Sequence, residues 1–294
     1  MKSGFVSIIG RPNVGKSTLL NSLINEKVAI VSDKSGTTRN IIEGIYNDSD
    51  YQIVFVDTPG IHKPVEKLSR ILNKEALSLT SDVDLILFVV DAASGIGKGD
   101  KYILDILHNE NIPVVFVLNK IDEISDNKLL KIIDENKDLY PFSDIVPISA
   151  LTHDNISHLL DVIKKYMNDN ILYFPQDIYT TNSVRFMVSE IVREKLLNVL
   201  EEEIPHCITC YTVKYEEKKD IINILVDIIV DRDSQKKIVI GKNGSCLKQV
   251  GTLARIDIEK LVNKKVYLEL YVKVISNWRN KEKYLTELGF KNNE

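Results

Sequence analysis

The residues best suited to chemistry stand together near the start of the chain, in Gly10-Arg11-Pro12-Asn13-Val14-Gly15-Lys16-Ser17, a GxxxxGK[ST] pattern. This stretch follows the apolar run Phe5-Val6-Ser7-Ile8-Ile9 and opens into Thr18-Leu19-Leu20-Asn21-Ser22-Leu23-Ile24. Strand, glycine loop and helix thus come in the order that a phosphate-binding loop requires. Glycines at the loop's ends let successive backbone N–H groups converge on phosphate oxygens, and a helix N-terminus adds its partial positive charge. Lys16 is placed to neutralise β- and γ-phosphates, and the Ser17 hydroxyl to ligate Mg²⁺.

Three further clusters each close an apolar run. Asp57-Thr58-Pro59-Gly60 ends the run 52–56; a carboxylate there can hold Mg²⁺ through water, and Gly60 can bring its backbone N–H to a γ-phosphate. Asn119-Lys120-Ile121-Asp122 ends the run 113–118. The Asp122 carboxylate can accept two N–H bonds from the edge of guanine, a donor pair that adenine lacks. The Asn119 amide meets the base's acceptor side, and Lys120 can lay its methylene stem along the ring. Ser149-Ala150 follows the run 144–148, and a backbone N–H there can approach the guanine oxygen. The expected nucleotide contacts are therefore Gly10 to Thr18 in full, Asp57, Thr58, Pro59, Gly60, Asn119, Lys120, Asp122, Ser149 and Ala150.

These clusters need a scaffold that brings strand ends together. Runs 41–46 and 52–56 flank the turn residues Asn47-Asp48-Ser49-Asp50 and read as a hairpin. A helix over 65–79, a strand over 85–90, a helix over 101–108, a strand over 113–118, a helix over 127–138 and a strand over 144–148 follow. Ile156, Leu159, Leu160 and Ile163 continue the helical period to about Met167. Alternating strands and helices predict an α/β unit with a mainly parallel sheet covered on both faces.

At 294 residues and 44% hydrophobic content the chain can build two cores. The expected division is a nucleotide-binding domain over 1–168, a linker over 169–182 with no helical or alternating period, and a second domain over 183–294. Three cysteines are too few for a disulfide framework and suit a reducing cytosol. Cys207 and Cys210 read as incidental residues of one strand, facing opposite sides. The chain enters its first strand too early for a secretory leader, and no apolar run approaches the roughly 20 residues of a membrane span. The net charge of −4 hides an asymmetry: residues 180–294 carry 20 basic against 17 acidic side chains, and the remainder 18 against 25. Residues 234–265 concentrate eight basic against two acidic, a positive field suited to nucleic acid.

In the second domain a helix begins at about residue 183, with Val184, Met187, Val188, Ile191, Val192 and Val199 on one stripe and Glu190, Arg193 and Glu194 opposite. Mixed charge on that polar face argues for a core-facing helix rather than one lying on a membrane. Runs 208–215 and 221–230 read as a hairpin. Ser234 is the expected N-cap of a short helix leading into Ile240-Gly241-Lys242-Asn243-Gly244. Leu247, Val250, Leu253, Ala254, Ile256 and Leu261 then run at near-helical spacing before a strand over 266–274. Glycines in a G-x-x-G loop let backbone approach a sugar-phosphate chain, and Lys236, Lys237, Lys242 and Lys248 supply counter-charge.

The ordered set GRPNVGKS, DTPG, NKID and SA, followed by helix, strand, strand, helix, GXXG, helix and strand, resembles the Era/TrmE-like family of GTPases that carry a C-terminal KH domain. The likeness extends over essentially the whole chain. It implies a GTPase domain followed by a smaller α+β type II KH domain, with GTP or GDP and Mg²⁺ as ligands. Thr37 and Thr38 are both candidates for the switch-loop ligand to Mg²⁺, and Thr38 is favoured because related GTPases use the threonine next to the arginine. Ser17, Thr38 and Asp57 then form the metal set. Ile61 stands where Ras-like enzymes place a water-orienting glutamine, and relatives with asparagine at the Asn13 position bind K⁺ beside the phosphates. Lys16, Thr38, Gly60 and Asn13 become the expected catalytic set, and His62 a bystander. The resemblance further implies slow GTP hydrolysis, binding of the 3′ end of small-subunit rRNA through Lys236, Lys237, Ile240, Gly241, Lys242, Asn243, Gly244 and Lys248, and a role in maturation of the small ribosomal subunit. A cytoplasmic monomer with some peripheral attachment to the inner membrane is the corresponding expectation. An RNA-modifying GTPase and an RNA-binding protein that holds GTP only as a structural ligand are the alternatives; a tandem GTPase is excluded by the single phosphate loop.

Overall fold

The structure, a computed structural model, describes residues 1–61, 66–78 and 82–290. His62, Val65 and Leu79, which figure in the expectations above, lie outside the described residues. Packing divides the chain into two units. The second begins at Asn182 and also takes in residues 32–37 and 66–68; the first holds the remainder.

The first unit is a six-stranded sheet in the order β2-β3-β1-β4-β5-β6. Its strands are β1 (Lys2–Ile9), β2 (Ile42–Asn47), β3 (Tyr51–Asp57), β4 (Leu85–Asp91), β5 (Val114–Asn119) and β6 (Asp144–Pro147). Only β2 runs antiparallel, paired with β3 across the predicted hairpin. The other pairings are parallel, so the ends of β1, β3, β5 and β6 open on one edge, which is how four short clusters distant in sequence meet. Strands β4 and β5 are buried along their apolar length, as central parallel strands covered on both faces must be.

Helices α2 (Lys67–Ser78), α3 (Lys98–Leu107) and α4 (Asp126–Asn136) cover one face, where Ala76, Ile103, Leu107 and Ile132 join Ile9, Phe88 and Phe116 in one core. Helices α1 (Lys16–Ile24) and α5 (Ile156–Lys164) pack together on the other. Helix α3 starts three residues earlier than its apolar period suggests, because the Asp100 carboxylate accepts from the backbone N–H of Gly97 at 2.8 Å and organises the first turn. Residues 169–181, expected as a linker, are held by this unit. Asp169 and Thr180 form bridges to Ser3 and Gly44, and the Gln52 carboxamide bonds the backbone of Tyr173 and Phe174. Long-range bonds to one side chain leave no local period for the sequence to show.

The second unit sets a three-stranded sheet, β7 (Thr209–Glu217), β8 (Ile221–Val230) and β9 (Lys265–Val274), against α6 (Val184–Val199) and α9 (Ser245–Val262), with α7 (Ile204–Cys207) and α8 (Asp233–Ile240) between. Strands β7 and β8 form the antiparallel hairpin, and β9 pairs parallel to β8 along ten residues, a pairing that needs the α8–α9 crossover. The helical spacing in α9 overstated its core: Val250, Ala254 and Ile258 are buried, whereas Leu253, Ile256 and Leu261 are exposed. Ser234 lies inside the first turn of α8, whose N-terminal N–H groups at Asp231 and Arg232 are capped by Gln235 Oε1 instead. Cys207 ends α7 and Cys210 lies on β7, so they do not share a strand, and both are buried.

The largest departure concerns α6. Glu190, Arg193 and Glu194, read as its solvent face, are 6%, 1% and 4% exposed, while Val184 at the predicted core stripe is 44% exposed. Buried charges require partners; Arg193 takes Glu190. The tail beyond β9 folds back on the unit, with Trp278 fully buried and its indole N–H donating to Cys207 O at 3.1 Å. Helix α10 (Glu282–Glu287) follows it. Among the described residues no helix is long and apolar enough to cross a membrane.

Candidate functional site

The glycine loop sits between the end of β1 and the start of α1, as its neighbours in sequence require. Gly15 caps α1 with φ of +94°, and a Cβ there would stand 2.3 Å from Asn119 Nδ2. A Cβ on Gly10 would meet Val89 O at 2.4 Å, and one on Gly60 would meet Pro12 N at 2.7 Å. The loop is thus wedged between β4, the Asp57–Gly60 cluster and Asn119, which keeps its backbone donors in register.

Lys16 is buried, and its ammonium donates to Gly10 O at 3.1 Å and Arg11 O at 3.0 Å. Burial pushes its pKa down to about 8 against the attraction of Asp57. Burial likewise pushes the Asp57 carboxyl up to about 6, against the charge of Lys16 and hydrogen bonds from Ser17 and Thr38. Both shifts favour the neutral forms, as removal of a charge from water does. Phosphate beside Lys16 and a cation beside Asp57 would each restore the ionised form.

The oxygen donors for such a cation are assembled. Ser17 Oγ donates to Asp57 Oδ2 at 2.6 Å and lies 2.8 Å from Thr38 Oγ1. Asp57 Oδ1 is buried without a hydrogen-bond partner among the described residues. Two hydroxyls and an uncommitted carboxylate oxygen form a hard donor set that fits Mg²⁺. Of the two threonine candidates it is Thr38 that points here, because the Thr37 hydroxyl turns back to Lys34 O at 2.6 Å.

Several predicted contacts have structural duties. The Arg11 guanidinium turns to the start of α3, with Nε 2.6 Å from Asp100 and Nη2 donating to Gly95 O at 3.0 Å, so only its backbone faces the loop's cradle. Thr58 Oγ1 donates to Ile8 O. Asn119 spans the site: its Nδ2 donates to Val14 O at 2.8 Å and its Oδ1 accepts from Ala150 N–H at 3.0 Å. The Ser149 N–H is given to Asp154 O; a base reaching Ala150 would share its donor with Asn119. Lys120, at φ +67°, is tied by its ammonium to Asp91 Oδ2 at 2.7 Å. Burial of Asp91 is outweighed by hydrogen bonds from Lys120 and the backbone, which hold its carboxyl below the ordinary value. The pair ties the Lys120 ammonium to the end of β4, while Asp122 stays exposed. Ile61 is buried in the core against α2 and α3, and Asn13 is exposed at φ +65°. Asp91 and Asp100 escaped sequence reasoning because their partners lie 29 and 89 positions away; the acidic residue three places after Gly97 was the available signal for Asp100.

In the second unit, Gly241 and Gly244 have φ of +74° and +77°. Beside Gly244 a groove of about 490 Å³ runs between α9 and β9, lined by Leu247, Lys248, Thr252, Arg255, Tyr267 and Leu270 among others. Lys248 on the groove, Lys242 and Asn243 on the loop and Lys237 on α8 are exposed, and Ile240 is half-buried. Lys236 instead stacks its ammonium 5.5 Å from the Tyr271 ring centroid. Thr252 and Arg255 were missed, although positions 244, 248, 252 and 255 repeat at helical spacing from the loop and mark the groove face of α9.

A sequence model described as 50S ribosome-binding GTPase matches residues 5–120, and one described as KH domain matches 203–279. The chain is 48% identical over 292 residues to GTPase Era of Clostridium kluyveri, a match covering 99% of this chain and all of the relative. Two solved structures align with TM-scores of 0.96 at 40% identity, each covering 99% of this chain and all of the other. One is a single-residue variant of Aquifex aeolicus Era bound to GDP·AlF4⁻. The other is Era in complex with MgGDPNP and nucleotides 1506–1542 of 16S ribosomal RNA.

Proposed function

The chain belongs to the Era family of GTPases, and from that premise we propose that this GTP-hydrolysing, KH-containing protein is a switch acting on the 3′ end of small-subunit rRNA during maturation of the small ribosomal subunit. The observation that carries the RNA partner is the groove beside Gly244, flanked by exposed Lys242 and Lys248, in a chain similar throughout to an Era solved with 16S rRNA nucleotides. Unstacked bases fit a groove of this kind while the glycine loop receives the sugar-phosphate chain. The protein works in the cytoplasm, with a fraction held peripherally at the inner membrane. Crosslinking to total cellular RNA tests the partner: enrichment at the small-subunit rRNA 3′ end is expected, and crosslinks scattered without it would overturn the reading.

Within the nucleotide site, the backbone of Gly10 to Thr18 cradles the phosphates and Lys16 exchanges its carbonyl partners for β- and γ-oxygens. Ser17, Thr38 and Asp57 would hold Mg²⁺, which when bound neutralises charge on the phosphates. Gly60 offers its N–H to the γ-phosphate. Asp122 reads guanine, with Asn119 holding the phosphate loop to the Ser149-Ala150 loop. Ile61, packed into the core, cannot orient water, so turnover depends on positioning and on charge. Asn13 would supply an oxygen to K⁺, whose charge, when the ion is bound, would stand in for that of an arginine finger. Faster hydrolysis in K⁺ than in Na⁺ is expected, and equal rates would remove the ion from the mechanism.

A further inference from the structure

We propose that His153 is a positioning residue for guanine recognition: its ring ties the loop that carries Ala150 to helix α1, and so sets the distance between the group that meets the base and the helix that meets the phosphates. The inference rests on the reading of Ala150 as the donor to the guanine oxygen.

Ala150 lies in a tight loop between β6 and α5. The Ser149 N–H donates to Asp154 O at 3.1 Å, and the Thr152 N–H to Ser149 Oγ at 3.1 Å. These bonds close the loop on itself and fix its shape, but not its place. Bonds to other elements do that. Asn155 Nδ2 donates to Pro147 O at 2.7 Å at the end of β6, and the Ala150 N–H donates to Asn119 Oδ1 at 3.0 Å at the end of β5. His153 Nδ1 is hydrogen-bonded to Ser22 Oγ at 2.9 Å, on α1. A base that takes the Ala150 N–H weakens the Asn119 bond, which uses the same hydrogen. The His153 bond spends no group that the ligand needs, so it holds the loop at that moment.

The backbone supports the same reading. His153 has φ of +61° and Asn155 of +59°. Glycine takes such backbone freely, whereas a β-carbon makes it costly. At Asn155 the side chain adds the bond to Pro147; at His153 it adds the bond to Ser22. A serine hydroxyl both donates and accepts, so it completes that bond with either tautomer of the ring. Ser22 is buried in α1, six residues beyond Lys16, or about 9 Å along the axis. Both partners belong to the first unit. Phosphates and base are two ends of one ligand. A loop held in its bound position relative to α1 therefore adds affinity at the base without changing the phosphate cradle.

The test compares full-length His153→Gly, Ser22→Ala and the double variant. Glycine keeps the left-handed backbone and alanine suits a helix, so the fold is retained. GDP and 6-thioguanosine diphosphate are titrated calorimetrically with Mg²⁺ present. The thio analogue keeps both N–H groups that face Asp122 and carries a poor acceptor, sulfur, in place of the oxygen. Expected are about fivefold weaker GDP binding in each single variant, the scale of one net hydrogen bond, no further loss in the double variant, and unchanged affinity for the thio analogue. Additive losses in the double variant, equal losses for the two nucleotides, or no loss at all would overturn the role of His153. Wild-type protein that binds the two nucleotides equally well would instead defeat the Ala150 assignment beneath it.

Discussion

At Gly15 a Cβ would stand 2.3 Å from Asn119 Nδ2, whereas at Gly244 it would meet nothing within 4 Å, although the two residues share left-handed backbone with φ of +94° and +77°. The phosphate loop is wedged on several sides by protein, and its polar partners are mostly in place: Lys16 on loop carbonyls, Asn119 across to Ala150, Ser17 against Asp57 and Thr38. The loop at Gly241–Gly244 packs on one side only, where a Cβ on Gly241 would lie 2.8 Å from Cys246. The first site is preorganised by the fold, as chemistry on a fixed phosphate geometry demands. The second leaves its far side open, as a backbone-reading surface for a flexible strand must. The same residue type thus marks steric necessity in one unit and open access in the other.

Gly15→Ala should produce the largest effect. Strain at positive φ costs on the order of 1–3 kcal/mol, and the added methyl displaces Asn119, which ties the loop to β5 and to Ala150. Nucleotide binding should fall below detection in a fluorescent GDP titration, with a lower melting temperature; near-normal binding would mean the loop is far less wedged than described. Asp122→Asn should come next. It exchanges a carboxylate that accepts two N–H groups for an amide that faces one of them with its own donor, at about 1.5–3 kcal/mol for each charged hydrogen bond. GTP affinity should drop while xanthosine triphosphate, which carries an oxygen in place of the amino group, gains. Equal losses for both nucleotides would dismiss Asp122 as the base reader.

The difference between the units also explains what the sequence could reveal. The nucleotide site was legible because each cluster is a short local word at a strand end, and parallel strands bring such ends together without further information. Its supports were not: Asp91, Asp100 and the Gln52 clamp act through partners that no period announces. The α6 face failed for a more general reason. Helical periodicity assigns charged residues to solvent, and it cannot see that Arg193 meets Thr37, 156 positions away. Trp278 and the tail were similarly silent, since the hydrogen bonds that hold this buried residue go to Cys207 O and the Asp231 carboxylate, 71 and 47 positions away.

Gly244→Asp sharpens the comparison in the opposite direction from Gly15→Ala. Open space receives the side chain, and aspartate tolerates left-handed backbone better than most residues, so the fold and basal GTP turnover should survive. Binding of an oligonucleotide with the small-subunit rRNA 3′ sequence should be lost, because a negative charge then stands where phosphate passes. Gly241→Ala, by contrast, pushes against Cys246 at the start of α9 and should lower the melting temperature as well as RNA affinity. Matching thermal losses in the two variants would erase the distinction between an open and a packed glycine.

The smallest effect is expected of Lys248→Gln. Lys248 is exposed on the groove face of α9, one helical turn beyond Gly244, and no described ion pair holds its ammonium. A lysine that neutralises one RNA phosphate releases one condensed counterion, contributing about 0.7 to the slope of log affinity against log salt for a single strand. Removing the charge should weaken RNA binding by a few-fold at low salt, leave base preference unchanged and reduce that slope by about one phosphate's worth. A changed preference with an unchanged slope would mean that Lys248 reads a base edge rather than the backbone, and would move the phosphate path from this face of α9 toward Lys237 and Lys242.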